Sequence, residues 1–308
     1  MRKDFSVIGI GHCCQDSICV VEAYPPEDGS THILSIDDSQ GGGAVATALA
    51  AAARLGVSCA MMAHLGDDAI GDQIEAGFAQ YGVDTGLIRR VPGGRSSSSI
   101  VMVHPKTGSR TKFPFRDALP PLDFDEEQRD AIRRARILHL DGTRYENALR
   151  AAEIAHEAGV TVSLDGCSRQ KDNALNLQLA SLADILIMNA VYPMAVSRRS
   201  DVDSALRFMA GLGGKKVVMM TAGSDGCYAL IDGKMEHFPA FPVQAADTTG
   251  AGDVFHGAFL AKWLETEDIR ACIRFASAAS AMKCRKPGGR SGIPTRREAE
   301  EFLAAHPL

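Results

Sequence analysis

Between residues 247 and 257 the chain reads Asp247-Thr248-Thr249-Gly250-Ala251-Gly252-Asp253-Val254-Phe255-His256-Gly257, a run of small residues that opens into a helix-forming segment with an acid in its first turn. A helix N-terminus presents unpaired N–H groups and a partial positive charge, so Gly250, Ala251 and Gly252 offer an anion such as phosphate a backbone cradle without side-chain obstruction. Asp253 is placed to accept a proton from an attacking hydroxyl while the adjacent N–H groups stabilise charge on a transferring phosphoryl group. The bare spacing fits equally well an aspartate that serves only as an N-terminal helix charge.

Other residues with chemical potential carry less. Gly9-Ile10-Gly11-His12-Cys13-Cys14 lacks the third glycine of a dinucleotide fingerprint, and Gly213-Gly214-Lys215-Lys216 lacks the hydroxyl and upstream glycine of a P-loop. A nucleotide, if bound, is held by another arrangement. His12 and His256 flank the candidate regions, but isolated histidines more often satisfy loops or cores, and neither is assigned a role. Asp16 sits in a loop after a strand-like run, where a carboxylate often only caps a turn. The eight cysteines form no CxxC pair, which suggests reduced, mostly buried thiols rather than a zinc or redox site. Lys283, Arg285, Lys286 and Arg290 form a basic cluster whose ordinary reading is a solvated charge run.

The elements that must position these residues follow from apolar periodicity. Residues 5–10 read as a first buried strand, and residues 17–39 as hairpin strands around Pro25, Pro26, Asp28 and Gly29. Gly41-Gly42-Gly43 leads into an alanine-dense helix over 44–55 that stops at Gly56. A strand over 59–65 and a helix over 68–81 follow, then strands over 97–103 and 109–115 around Lys106-Thr107-Gly108, able to pair with the hairpin. From residue 137 the pattern alternates: strands over 137–140, 161–164 and 185–188, with helices over 146–158 and 174–183 between them, imply a parallel sheet covered by helices. A strand over 217–221, a hairpin over 226–238 and helices over 251–264, 269–284 and 295–305 complete the chain.

The 308 residues are enough for one large α/β domain, with 45% hydrophobic and 23% charged residues. A net charge of −5 argues against a broad grip on nucleic acid or anionic lipid. No segment is apolar for the ~18 residues a membrane span needs, and the start at Met1-Arg2-Lys3 has no signal-peptide core, so the cytoplasm is the expected compartment.

The segment from Asp247 to Asp253 resembles the C-terminal signature of the ribokinase-like (PfkB) carbohydrate kinases. Asp16, Gly41-Gly42-Gly43, Gly66-Asp67-Asp68 with Gly71, and Thr221-Ala222-Gly223-Ser224-Asp225-Gly226 fall in family order, so the likeness spans nearly the whole chain. It implies a doubly wound, mostly parallel α/β sheet flanked by helices, in one domain over 1–308, with a small β lid from about 12–40 and 95–117 over the substrate. It further implies an ATP-dependent kinase acting on a hydroxyl of a small sugar. Asp253 would be the base, Asp16 with Gly42 and Gly43 would bind substrate, and Asn189, Thr221, Gly223 and Gly226 would face the nucleotide. Mg2+ would travel with ATP. Asp247 and the carbonyls near Thr249, with the 288–291 loop, match the place where some relatives hold a monovalent cation such as K+. Ordinary turn geometry is the other reading. The lid strands would pair in a homodimer.

The chain departs from the family pattern in two places. Ala46 stands where the family usually has a sugar-contacting Asn, and Asn189-Ala190-Val191-Tyr192 lacks the acidic member of the family's Asn-x-x-Glu motif. Within the family, Gly41-Gly42-Gly43 with Ala46-Thr47-Ala48, residues 253–258 and the 283–290 segment are similar to bacterial 6-deoxy-6-sulfofructose kinases. Arg144 falls where that subgroup places a sulfonate-binding arginine, although an ion-pair arginine fits equally, and the subgroup's hairpin lysine is Ser30 here. Arg110 is a weaker candidate. Two rival readings remain: a nucleoside kinase on the same fold, and a sugar-sensing binding protein that has lost turnover.

Overall fold

The structure, a computed structural model, describes residues 4–106, 109–167 and 170–306. The chain start at Met1-Arg2-Lys3 and part of the expected Lys106-Thr107-Gly108 turn lie outside the described residues. The first part of the chain forms β1 (Val7–Ile10), β2 (Cys14–Val21), β3 (Ile33–Gly42), α1 (Ala44–Arg54), β4 (Cys59–Met61), β5 (His64–Gly66), α2 (Ala69–Tyr81), β6 (Arg89–Val91), β7 (Ser98–Val103) and β8 (Arg110–Phe115). It continues through α3 (Glu126–Arg134), β9 (Ile137–Leu140), α4 (Tyr145–Glu157), β10 (Thr161–Gly166), α5 (Asn173–Leu182), β11 (Ile185–Asn189), α6 (Tyr192–Ser197) and α7 (Val202–Ala210). The remainder is β12 (Val217–Thr221), β13 (Cys227–Ile231), β14 (Lys234–Phe238), α8 (Ala251–Thr266), α9 (Ile269–Lys283) and α10 (Arg296–Ala305).

Eight strands form the main sheet in the order β14-β13-β12-β11-β10-β9-β1-β4, parallel except for the two hairpin pairings at the β13–β14 edge. Alternate residues of each central strand enter opposite cores. Val7, Ile185, Ile187 and Met219 join the layer of α1, α8 and α9. Ile8, Leu186, Met188 and Met220 join the layer of α3, α4 and α5. Both faces are therefore buried, which is why these strands read as continuous apolar runs. A four-stranded sheet, β3-β2-β7-β8, confirms that the two early segments pair with each other.

The segment expected as one strand over 59–65 is two. Met62 N–H still bonds the Gly9 carbonyl at 3.0 Å, but β1 ends at Ile10, and the chain then turns so that β5 pairs with β6 instead. Three helices, α3, α6 and α7, were not anticipated. In α3 only Gln128, Ala131 and Ile132 are buried, too thin a stripe to read from periodicity, although a capping box from Asp125 to Gln128 starts the helix.

The alanine run of α1 lets α8 approach closely. A Cβ on Gly257 would stand 2.1 Å from the Ala48 carbonyl oxygen and 2.8 Å from Ala51 Cβ. Gly257→Ala is therefore expected to lower the unfolding free energy by about 1–3 kcal/mol through overpacking, measured as a lower urea midpoint. An unchanged midpoint would show that the two helices can part without cost.

Candidate active site

The strand order reverses between β1 and β9, where connections leave to opposite sides and a crevice opens beyond the carboxyl ends of the strands. Asp141, just past β9, ties this crevice together. Its carboxylate accepts from the N–H groups of His12 at 3.1 Å and Thr143 at 2.9 Å, and burial raises its pKa. Gly43 caps α1 at φ 102°, where a Cβ would stand 2.0 Å from the His12 carbonyl oxygen, so only glycine allows β3 to enter α1 here.

The small sheet supplies one wall of a cavity of about 790 Å³. Asp16 lies on β2, not in the expected loop, and its Oδ1 accepts from Ser99 Oγ and from Cys14 Sγ at 3.5 Å. Gly42 abuts it, since a Cβ there would lie 2.7 Å from Asp16 Oδ2. Lys112, Arg116 and Arg144 line the same cavity. Arg144, at the start of α4, is ion-paired to Asp117, whose carboxylate also accepts from Ser97. Burial works to raise the Asp117 pKa, but the bonds from Arg144 and Ser97 hold it below the usual carboxylate range.

Opposite the small sheet stands the N-terminus of α8. Gly250 takes φ 74°, with Gly289 packed so closely that a Cβ would meet its carbonyl oxygen at 2.5 Å. Asp253, in the first turn, is half-buried and faces the cavity. Burial and the nearby negative charge of Asp165 push its pKa up to about 7, with His256 opposing. Asp165 and His256 are themselves buried and paired at 3.3 Å. Burial would raise the Asp165 pKa, but His256 brings it below the ordinary value.

A second cavity, of about 480 Å³, lies behind the same turn and is lined by Thr221, Gly223, Gly226, Phe241, Ala251 and Gly252, among others. Gly250 and Asp253 face the first cavity and Ala251 and Gly252 the second, while Thr248 borders both. A Cβ on Gly252 would meet nothing within 4 Å beyond its own turn of the helix, so the wall of the second cavity is open there to a ligand. The Ala251 N–H already donates to the Thr248 carbonyl at 3.2 Å, which leaves those of Gly252 and Asp253 as first-turn donors. Asn189, expected to face the nucleotide with Thr221, Gly223 and Gly226, is not among the residues lining this cavity; its Oδ1 accepts from the N–H groups of Val191 and Tyr192 where the chain enters α6. Among the described residues no cluster of three or more His, Cys, Asp or Glu could hold a metal ion.

A family model for pfkB family carbohydrate kinases matches residues 4–296. The chain belongs to the pfkB family of carbohydrate kinases. The ATP-dependent ribose-1-phosphate kinase of Halopiger xanaduensis is 31% identical over 300 residues, 97% of this chain and 98% of that protein. The ribokinase of Haemophilus influenzae is 32% identical over 277 residues, 85% and 87% of the two chains. Among solved structures, the ribokinase of Thermotoga maritima superposes with a TM-score of 0.84 at 25% identity, covering 97% of this chain and 99% of that one. The protein is thus a phosphotransferase, a sugar kinase, on the ribokinase-like fold.

In this carbohydrate kinase, sequence reasoning overlooked Lys112, Arg116, Asp117 and Asp141, and gave Arg110 little weight. Arg110, Lys112 and Arg116 recur at even spacing along and just beyond β8, so strand periodicity alone puts them on one face. Arg110 reaches across to Thr249 and lies 3.8 Å from Asp247. The basic cluster near the C-terminus is not a solvated run throughout: Lys283 is 0% and Arg290 4% exposed, while Arg285 and Lys286 face solvent. Arg290 bonds Thr47 Oγ1 at 3.3 Å and the Gly42 carbonyl at 3.2 Å, bracing the strand end beside Asp16. No helix among the described residues is long and apolar enough to cross a membrane.

Proposed function

We propose that this sugar kinase transfers the γ-phosphoryl group of ATP to a hydroxyl of a small sugar that carries an anionic group, with Asp253 as the general base. The observation that carries this reading is the turn from Thr248 to Asp253, which forms the wall between two cavities. The acceptor lies in the larger cavity, its hydroxyls on Asp16 and the Gly42 and Gly43 backbone. The nucleotide lies in the smaller one, along Thr221, Gly223 and Gly226. Asp253 takes the hydroxyl proton as the new O–P bond forms, the bond from the γ-phosphorus to the β-bridging oxygen breaks, and ADP leaves with that electron pair. The N–H groups of Gly252 and Asp253 stabilise charge on the phosphoryl oxygens, with Gly250 and Ala251 shaping the turn. Mg2+ would neutralise the phosphates and be held chiefly by them, in keeping with the absence of a carboxylate cluster among the described residues. The sheet of β2, β3, β7 and β8 acts as a lid whose closure excludes water.

The acceptor's charge is argued from its cavity, where Arg144 is neutralised by Asp117 but Lys112 and Arg116 have no ion-pair partner among the described residues. The Halopiger relative, named for a phosphorylated sugar and for ATP, supports both halves of this reading. Sulfofructose is a sulfonated candidate of the same kind. ADP release across neutral sugars, sugar phosphates, sulfofructose, 2-keto-3-deoxygluconate and nucleosides tests it. Turnover confined to nucleosides or neutral sugars would overturn the acceptor class, and binding without turnover would favour a sensing protein. The double variant Lys112→Ala, Arg116→Ala is expected to raise KM for the anionic acceptor ~10–150-fold, since both side chains are exposed and together contribute about 1.5–3 kcal/mol, the strength of one bond to a charged group. KM for ATP should stay unchanged; an unmoved acceptor KM would remove these side chains from the site.

Eight free cysteines, seven of them buried, suit a reducing cytoplasm. Exposed Ile33, Leu34, Ile36, Ile100 and Phe113 on the small sheet suit a homodimer that covers it.

A further inference from the structure

Lys283 is the last residue of α9 and is fully buried. Burying an ammonium group costs several kcal/mol unless its surroundings compensate, so such a residue needs a reason. Its Nζ donates to the main-chain carbonyl of Asp247 at 2.8 Å, and the negative end of the α9 dipole surrounds it. The same stretch is stitched to the helix end twice more, by the N–H groups of Ala246 and Asp247, which bond the Cys284 carbonyl at 2.8 and 3.1 Å.

Asp247 in turn fixes the catalytic turn. Its carboxylate accepts from Thr249 N–H at 2.8 Å, from Thr249 Oγ1 at 2.7 Å and from Gly288 N–H at 2.9 Å. Three residues on from Asp247 comes Gly250, the left-handed cap of α8, packed on Gly289. Lys283 thus sits behind a carbonyl, a carboxylate and two loops that together set the phosphate cradle, while Arg110 approaches the same Asp247 carboxylate to 3.8 Å from the cavity side. Burial draws the Lys283 pKa down and Asp247 opposes this, so the carboxylate helps to keep the ammonium charged.

We infer that Lys283 is a tethered cation: it supplies from within the chain the fixed positive charge that a bound monovalent ion would otherwise provide beneath the 247–250 turn, and it makes that turn independent of K+. Lys283 is a positioning residue, acting on the phosphate cradle through Asp247. The effect on catalysis rests on the phosphotransfer reading above, whereas the effect on stability does not.

The test compares full-length wild type and Lys283→Met in buffers whose monovalent cation is tetramethylammonium, Na+, K+ or NH4+, reading both kcat and Tm. Wild-type kcat and Tm are expected to be the same in all four. Lys283→Met is expected to lose at least ~10-fold in kcat in tetramethylammonium, equivalent to about 1.4 kcal/mol, and to regain activity and Tm with K+ or NH4+. A wild type whose Tm or kcat rises with K+ overturns the inference, as does a folded variant that ignores every small cation. Should the variant not fold, the wild-type series decides alone. Should no acceptor be turned over, the Tm series still reports on the tethered cation while the phosphotransfer reading fails separately.

Discussion

Replacing Asp253 by Asn is expected to leave the fold and ATP binding intact and to lower kcat by at least ~100-fold, the usual contribution of a general base. The substitution keeps the shape of the first turn of α8 and removes only the group that accepts the hydroxyl proton. A pH dependence follows from the same environment. Because the carboxyl pKa is pushed up to about 7 by burial and by Asp165, the working base is the ionised form, and kcat/KM should rise as pH increases through about 7 and level off above it. Stability should run the other way. A carboxyl whose pKa is higher in the folded than in the unfolded chain binds more protons when folded, so wild-type stability falls as pH rises from about 4 through 7. The loss is at most about 4 kcal/mol for a dry site, and less here because the cavity admits water. Asp253→Asn removes this loss and should be more stable relative to wild type at pH 8 than at pH 4. Undiminished turnover in the variant would refute the mechanism, and equal relative stability at both pH values would refute the electrostatic account.

Asp16→Ala is expected to reduce kcat/KM for the acceptor by ~10–150-fold, corresponding to about 1.5–3 kcal/mol for a hydrogen bond to a charged group, with ATP binding unaffected. Among the described residues, both hydrogen bonds that Asp16 accepts end on Oδ1, from Ser99 and Cys14, while Oδ2 lies beside Gly42 at the cavity wall. Ser99 therefore orients the carboxylate and leaves one oxygen for the substrate. The loss should appear mainly in KM if the bond is equally strong in the bound and transition states, and in kcat if it tightens during transfer. Acceptor KM and kcat both within twofold of wild type would assign Asp16 a structural role only. Ser99→Ala should reproduce a smaller part of the effect, because it frees the carboxylate to rotate without removing it.

The local signals in the sequence were strong wherever one segment carries all of its own information. The parallel strands are apolar throughout because both faces are covered, and the Gly250–Asp253 turn is marked by small residues whose missing side chains are themselves the feature. For that reason the α/β architecture, the small sheet and the position of Asp253 could be read before any coordinates. Residues whose meaning depends on a distant partner could not. Arg144 is equally credible as a substrate ligand or a surface charge until Asp117, 27 residues away, is seen to neutralise it. Nothing in the motif around His256 points to Asp165, yet their pairing at 3.3 Å helps set the charge around Asp253. Lys283 and Arg290 look like part of a solvated run, since a linear pattern records charge but not depth. Tertiary structure alone decided that two of those four charges are buried, one on the Asp247 carbonyl and one on the Gly42 carbonyl, because burial is a property of what packs around a residue and not of its neighbours in the chain.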